Sequence, residues 1–196
     1  GVEIGFYPRF PENHIVLSCR DPHDANKAWS RLQAVEMEVC RRIGRYVFAR
    51  DEETLEEAVA NLLRKQGRTI AVAESCTGGL ITDRLTDIPG SSAYLERGLI
   101  TYSNRSKMEL LDVPDAVLRT YGAVSEETAR LMAEGVRRLA GTDLGLATTG
   151  IAGPDGGSEA KPVGTVYIAL ADEAGTVCRQ FAYRWNRRRI KVISSQ

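Results

Sequence analysis

Residues 73–79 read Ala73-Glu74-Ser75-Cys76-Thr77-Gly78-Gly79 and follow an apolar run at 69–72. A strand that ends here and turns through two glycines into the amphipathic stretch from Leu80 has hydroxyls, a thiol and backbone N–H groups at a helix N-terminus. Such a terminus favours binding an anion or stabilising an oxyanion. An ordinary strand-to-helix turn capped by Ser or Thr accounts for the same residues. The heptad therefore predicts strand, turn and helix, with the turn as a candidate site.

Composition indicates a globular protein. The 196 residues are 43% hydrophobic, which is enough for one large domain or two small ones. Lys plus Arg and Asp plus Glu both total 26, so no basic field argues for a nucleic-acid partner. The four cysteines are scattered, no signal peptide precedes them, and no apolar run is long enough for a bilayer. We expect a cytoplasmic protein with reduced thiols that binds neither membranes nor nucleic acid.

The pattern of apolar residues predicts two regions that divide near residues 50–54. Residues 1–50 indicate a small α+β module, with strands at 2–7 and 14–19, a break at Asp21-Pro22, a helix at 24–42 and a strand at 45–49. The sequence begins on Gly1 without Met and ends in a helix-like pattern without a stop signal, so we expect a fragment of a longer protein.

Residues 54–196 predict a three-layer α/β/α domain, because helices and strands alternate along the chain. A hairpin with its turn at 172–175 makes one neighbour antiparallel, so the sheet should be mixed. The predicted strands are 69–73, 95–102, 144–149, 163–170 and 176–183. The predicted helices are 55–66, 79–85, 106–111, 126–140 and a final one that runs to the end.

The larger region contains no histidine, because His14 and His23 both lie in the first module. A Ser-His-Asp triad within it is therefore excluded. If Ser75 is a nucleophile, its proton must pass to another group, and a desolvated lysine is an established alternative. The lysines from residue 54 onward are Lys65, Lys107, Lys161 and Lys191. The first ends a helix facing solvent and the last lies in the final segment, which leaves two candidates.

Both remaining lysines lie close to predicted strand ends. Lys107 closes the polar cluster 102–107 just past a buried-looking strand, where α/β folds collect their sites. It is equally explained as a solvated residue in a capped helix start. Lys161 follows the glycine-rich loop 150–159, which is either a phosphate-sized ligand loop or a plain surface connection. The two loops and the Gly-Gly turn could converge on one ligand.

Six motifs resemble the CinA family, in the order found in its C-terminal domain. They are the heptad 73–79, Pro89-Gly90-Ser91-Ser92, Tyr102-Ser103-Asn104, Gly122-Ala123-Val124-Ser125, the stretch 149–157 and Lys161-Pro162-Val163-Gly164-Thr165-Val166. The resemblance implies a nicotinamide mononucleotide deamidase over 54–196 and a homodimer or larger homo-oligomer. Residues 1–50 resemble the KH-like module that joins this domain to a molybdopterin-binding-like N-terminal domain, which the sequence lacks.

The family reaction hydrolyses the carboxamide of nicotinamide mononucleotide to nicotinate mononucleotide and ammonia. An amide is a poor electrophile, so the reaction needs an activated nucleophile, an oxyanion hole and a proton donor for ammonia. The resemblance makes Ser75 the nucleophile, Lys107 its base and Tyr102 the group that orients the lysine. It implies no cofactor and no metal. It implies substrate contacts, some of which stabilise the oxyanion or hold the phosphate, from Thr77, Gly78, Gly79, Thr149, Gly150 and Arg187.

Many relatives have Gly-Asp-Arg after the final strand, with an arginine that looks like a phosphate ligand. This sequence has Trp185-Asn186-Arg187 instead. Arg187 is the best match, although Arg184, Arg188 and Arg189 compete with it, and a solvated basic helix start explains the same run.

Two residues of the heptad have alternative roles. Cys76 is either a thiolate at a helix N-terminus or, as we favour, a small buried hydrophobe behind Ser75. Glu74 either orients the lysine or caps a neighbouring amide.

Two functions from different classes fit these residues. One is a cofactor-independent amidohydrolase, and the other is a nucleotide-binding or regulatory module of a multidomain protein that has lost turnover. The joint presence of Ser75, Tyr102 and Lys107 favours the enzyme. RNA binding by the first module has only fold analogy behind it, and the visible stretch lacks a Gly-x-x-Gly loop.

Overall fold

The computed structural model describes residues 1–21 and 23–196 and divides the chain into two compact units, Gly1–Ala58 and Val59–Gln196. The break predicted at Asp21-Pro22 includes Pro22, which lies outside the described residues. Within the described ranges, no helix has both the length and the apolar character that crossing a bilayer requires.

The first unit contains a hairpin and a long helix. β1 (Val2–Arg9) pairs antiparallel with β2 (Glu12–Cys19), and α1 (Ala25–Ile43) follows. The strand predicted at 45–49 is wrong: Gly44–Tyr46 form a 3₁₀ turn, and residues 47–50 have no regular structure. Aromatic and β-branched residues favour a strand only where a partner strand lies beside them, and the sheet of this unit pairs β1 with β2. The likeness to a KH module stays a prediction.

Helix α2 (Leu55–Gln66) crosses the division between the units. Thr54 and Glu57 form a capping box at its start: the Glu57 N–H donates to the Thr54 hydroxyl at 3.2 Å, and the Thr54 N–H donates to the Glu57 carboxylate at 2.8 Å. The predicted bounds of this helix match the observed ones.

The second unit is built on a five-stranded sheet in the order β4-β3-β5-β6-β7. The central strand β3 pairs parallel with β4 and β5, whereas β6 pairs antiparallel with β5 and β7. The strands are β3 (Ile70–Glu74), β4 (Leu95–Ile100), β5 (Leu144–Gly150), β6 (Thr165–Ala171) and β7 (Thr176–Ala182). The predicted mixed sheet is confirmed.

Five further helices belong to this unit: α3 (Leu80–Thr86), α4 (Asn104–Leu111), α5 (Asp115–Tyr121), α6 (Glu126–Ala140) and α7 (Arg187–Ser195). Helix α5 was not predicted. It has two turns with one buried apolar side chain, Leu118, so its periodic pattern is too short to detect. Its flanking Pro114 and Gly122 were the available signals.

Both faces of β3 are covered, which makes the domain three-layered as predicted. Successive strand residues point to opposite faces. Accordingly Ala71 and Ala73 share one apolar cluster with residues of α4, α5 and α6, while Ile70 and Val72 share another with residues of α2 and α3. All five residues of β3 are buried.

The register of the parallel strands places the polar residues at one sheet edge. Glu74 at the end of β3 pairs with Ile100 of β4 and Thr148 of β5. The next residues along each strand, Ser75, Thr101 and Thr149, therefore lie at the carboxyl edge of the sheet. This is the edge where open α/β sheets bind ligands.

Candidate active site

Ser75 is the first residue beyond β3 and is held by the sheet. Its N–H donates to the Thr148 carbonyl at 3.0 Å, which continues the hydrogen bonding between β3 and β5. Its side chain is nearly buried. The hydroxyl therefore has a fixed position at the sheet edge.

The Glu74 carboxylate, which is fully buried, caps the helix that follows this turn. One oxygen accepts the N–H groups of Gly79 at 2.9 Å and Ile81 at 3.1 Å, and the other accepts the N–H of Thr82 at 2.9 Å and its hydroxyl at 2.7 Å. A carboxylate is favoured at a helix N-terminus, where N–H groups lack partners. Of the two roles considered for Glu74, the structure supports capping of amides.

This cap determines which N–H groups of the glycine turn are left to bind an anion. Gly78 and Gly79 have φ of +63° and +99°, which glycine adopts without strain. The Gly79 N–H, considered as an anion donor, is already donated to Glu74. Thr77 is fully buried, and its hydroxyl bonds the Thr148 hydroxyl at 2.8 Å. Of the predicted contacts at this turn, Gly78 has an N–H with no acceptor within the described residues.

Cys76 lies behind Ser75 in an apolar cluster with Ala152, Val166 and Ile190. Burial raises the pKa of its thiol to about 11. A thiol that stays protonated at neutral pH is a poor nucleophile, so the geometry favours the packing role.

Lys107 lies on α4 and is fully buried. Its Nζ is 3.3 Å from the Ser75 Oγ and donates to the carbonyls of Thr101 at 2.7 Å and Tyr102 at 3.1 Å. Ser103 caps the helix by accepting the Ser106 N–H at 3.0 Å, which fixes the turn that carries the lysine. Burial lowers the pKa of Lys107 from its ordinary 10.5 to about 8.

The other candidate lysine has a structural contact. The Lys161 Nζ donates to the carbonyls of Tyr121 at 2.6 Å and Val124 at 2.7 Å, so it ties the loop after β5 to the segment after α5. Geometry therefore separates two residues that sequence reasoning from loop positions left equal.

Tyr102 contacts the lysine through its backbone carbonyl and not through its phenol. The phenol is on a side chain that is 61% exposed, and its oxygen accepts from Arg187 Nη2 at 3.3 Å. Arg187 Nη1 donates to the Gly153 carbonyl at 2.7 Å. Arg187 thus bridges the end of β4 and the glycine-rich loop.

Thr149 and Gly150 support the site from behind. Thr149 is fully buried, and its hydroxyl donates to the Ala123 carbonyl at 2.7 Å. A side-chain carbon on Gly150 would lie 2.7 Å from Val166 and 3.1 Å from the Cys76 sulfur, so only glycine fits there. The Thr149 hydroxyl is therefore used within the protein.

Sequence reasoning missed two groups. The Thr101 carbonyl holds Lys107 but carries no side-chain signal, since only the fold turns it toward the lysine. Lys191 was set aside because of its place in the final segment, yet its ammonium lies beside Gly78. Its spacing of four residues from Arg187 was a usable signal, because residues so spaced share one helix face. In the described part of the chain, no cluster of three or more His, Cys, Asp or Glu side chains could hold a metal ion.

Comparison with known proteins relates this chain to one family. The family model of the CinA C-terminal domain matches residues 52–196. A CinA-like protein of Syntrophus aciditrophicus is 63% identical over 197 residues, covering 100% of this chain and 47% of that protein. A CinA-like protein of Geotalea uraniireducens is 48% identical over 195 residues, covering 100% of this chain and 46% of that protein. The chain spans about half the length of these curated relatives.

Solved structures show the same fold. The crystal structure of the competence/damage inducible protein CihA from Agrobacterium tumefaciens is similar at a TM-score of 0.71 and 40% identity, covering 76% of this chain and 92% of that chain. A competence damage-inducible protein A from Klebsiella pneumoniae is similar at a TM-score of 0.68 and 31% identity, covering 70% of this chain and 85% of that chain.

Replacing Glu74 by Gln should destabilise the protein, because in either orientation the amide NH₂ would face at least one N–H donor and the charge at the helix terminus would be lost. We expect a loss of about 3 kcal/mol in the free energy of unfolding, measured by urea titration. Glu127→Gln, the same change in the exposed first turn of α6, is the control and should cost no more than about 1 kcal/mol. Equal effects of the two variants would contradict the capping role.

Replacing Lys107 by Met should change how stability depends on pH. The pKa of Lys107 is about 8 in the folded protein and 10.5 ordinarily, so between these values the unfolded chain binds more protons. The parent should therefore gain stability relative to Lys107→Met as pH rises through this window, while below it the difference in stability between the two proteins is constant. Urea unfolding at pH 7, 9 and 10.5 measures this.

The exposed Lys65→Met is the control for that comparison, and its difference from the parent should not change across the same window. A flat difference for Lys107→Met as well would contradict a lowered pKa at Lys107.

Proposed function

The chain belongs to the CinA family through its C-terminal domain, and from this membership and the Ser75–Lys107 pair we propose that residues 54–196 form an amidohydrolase. Its substrate is nicotinamide mononucleotide, whose carboxamide it hydrolyses to nicotinate mononucleotide and ammonia in pyridine nucleotide recycling. The observation that carries the proposal is a buried lysine, of pKa about 8, with its Nζ 3.3 Å from the Ser75 hydroxyl. A cytoplasmic location remains a prediction from the scattered cysteines, and a homo-oligomeric state remains a prediction from the resemblance.

Lys107 acts as the base in its neutral form. Its two N–H groups donate to the carbonyls of Thr101 and Tyr102, which leaves the nitrogen lone pair for the Ser75 hydroxyl. With a pKa near 8, on the order of one-tenth of the molecules hold a neutral amine at pH 7, against about one in 3,000 for an ordinary lysine. Burial therefore supplies the base that the absent histidine would otherwise supply.

The reaction then proceeds in two halves. The Ser75 Oγ attacks the carboxamide carbon while Lys107 takes the hydroxyl proton. Lys107 gives this proton to the amide nitrogen, the C–N bond breaks and ammonia leaves. Water attacks the resulting ester on Ser75, and Lys107 takes a proton from the water and returns it to the Ser75 Oγ as nicotinate mononucleotide leaves.

The remaining contacts follow from the donors that the fold leaves open. The Gly79 N–H is donated to Glu74, so we assign the oxyanion to the Gly78 N–H. Arg187, which lies between the Gly153 carbonyl and the Tyr102 phenol, is the proposed ligand of the substrate phosphate. A guanidinium matches phosphate geometry through two parallel donors.

Ammonia release from nicotinamide mononucleotide tests the proposal directly. Ser75→Ala and Lys107→Met should each lower kcat/KM by at least about 10³-fold, since each removes a group that makes or accepts a bond in the reaction. Cys76→Ala should retain activity, because the buried thiol takes no part, and Lys65→Met controls for loss of one positive charge. Tight binding of the nucleotide by the parent with no ammonia release would instead support the non-catalytic nucleotide-binding module.

The pH dependence of the rate tests the role of Lys107. Only the neutral amine accepts the Ser75 proton, so kcat/KM should rise with pH below about 8 and level off above it. Steady-state rates of ammonia release between pH 6 and 9.5 measure the profile. A rate that is flat across this range, with chemistry rate-limiting, would contradict Lys107 as the base.

A further inference from the structure

One face of α7 lies against the turn that carries Ser75. Arg187, Ile190, Lys191 and Ser194 recur at three- and four-residue spacings, which places them on the same side of the helix. Ile190 is fully buried and shares an apolar cluster with Cys76. Arg84 of α3 donates to the side chains of Ser195 at 3.2 Å and Gln196 at 2.5 Å, at the other end of the helix. These contacts fix α7 on the site.

The position of Ile190 brings Lys191 to the turn. A side-chain carbon on Gly78 would lie 3.3 Å from the Lys191 Nζ and 3.9 Å from its Cε, so the ammonium stands directly over this glycine. Lys191 is half-buried, and its ammonium has neither a hydrogen-bond acceptor nor a carboxylate within ion-pair distance among residues 1–21 and 23–196. A partly desolvated cation without a counter-ion is costly to hold unless it binds an anion.

The other end of the turn cannot bind that anion. The N-terminus of α3 is filled by the Glu74 carboxylate, which accepts four hydrogen bonds there. An anionic substrate group at this site therefore cannot use the start of α3 and is better compensated by positive side chains. Arg187 and Lys191, one helical turn apart, supply two, and Arg187 likewise has no carboxylate within ion-pair distance in the described chain. Two cations match the charge of a phosphate monoester near neutral pH.

We propose that Lys191 is a second phosphate ligand, which acts with Arg187 to select substrates that carry a phosphate monoester. This inference rests on the proposed function for the identity of the substrate. The phosphate subsite itself is independent of turnover, because it requires only the two cations and the turn. Lys191 is therefore a specificity-determining residue and takes no part in the proton transfers.

Calorimetric titration with inorganic phosphate tests the subsite without requiring catalysis. The parent should bind phosphate, and Lys191→Met should bind it at least about 10-fold more weakly, as expected when a charge-assisted hydrogen bond is lost. Lys191→Arg keeps the charge and should stay within about threefold of the parent. Lys65→Met, an equal charge change on an exposed residue, should bind as the parent does. Parent-like binding by Lys191→Met, or no binding by the parent, would overturn the subsite.

Steady-state kinetics distinguish whether Lys191 contacts the phosphate or the oxyanion of the substrate. With nicotinamide mononucleotide, Lys191→Met should raise KM at least about 10-fold with little change in kcat. With nicotinamide riboside, which lacks the phosphate, the variant and the parent should react equally. A similar fall in kcat for both compounds would overturn the phosphate assignment in favour of the oxyanion. Absence of ammonia release from the parent would contradict the proposed function and leave the phosphate titration as the test of Lys191.

Discussion

The buried Glu74 carboxylate is the constraint on which the site depends. Burying a carboxylate costs several kcal/mol unless hydrogen bonds and opposite charge compensate it, and here four donors at the start of α3 do so. The same bonds fix the angle at which the chain leaves β3 and enters α3. Ser75 follows Glu74 directly, so it lies in the turn that these bonds fix, and its own N–H donates to the Thr148 carbonyl. The Ser75 hydroxyl is thus preorganised by a residue that need not touch a ligand.

Glu74 and Lys107 show how burial acts differently on two charges. The Glu74 carboxylate accepts four hydrogen bonds at the start of α3, where the N–H dipoles of a helix stabilise an anion. The Lys107 Nζ contacts two backbone carbonyls and the Ser75 hydroxyl. Burial lowers its pKa to about 8 because the ammonium loses its hydrating water. Carbonyls accept N–H groups from an ammonium and from a neutral amine alike, so both states of the lysine fit the same pocket. A residue that acts as a base must exist in both its protonated and its neutral form, and this pocket can hold both forms of a lysine.

Sequence patterns correctly predicted the elements that depend on neighbouring residues. They failed for features that depend on a residue or strand distant in the sequence. The period of the apolar residues and the glycine turn indicated β3, α3 and the mixed sheet, since strand and helix signals are contained in a few neighbouring residues. The strand predicted at 45–49 is wrong because no strand of the described residues lies beside it as a partner. Helix α5 was missed because two turns contain too few residues to show a helical period of apolar side chains. In the site, residue type and position indicated Ser75 and left Lys107 and Lys161 as equal candidates, between which the family resemblance chose Lys107. The donation of the Gly79 N–H to Glu74 and the closeness of Lys191 to Gly78 follow only from how α3 and α7 pack.

The two departures from the Gly-Asp-Arg pattern leave the position of Arg187 intact. Asn186 caps α7 by accepting the Arg189 N–H at 3.0 Å, and Asn and Asp are equally good at this position. Trp185, in place of glycine, stacks on Tyr183 with ring centroids 5.8 Å apart, and Tyr183 stacks on Phe181 at the same separation. The added ring is thus accommodated along the end of β7, outside the turn that carries Arg187. What the fold requires here is a cap that starts α7 at Arg187, because this start sets the helical phase that brings Ile190 to Cys76 and Lys191 to Gly78. Either asparagine or aspartate as the cap of α7 satisfies that requirement.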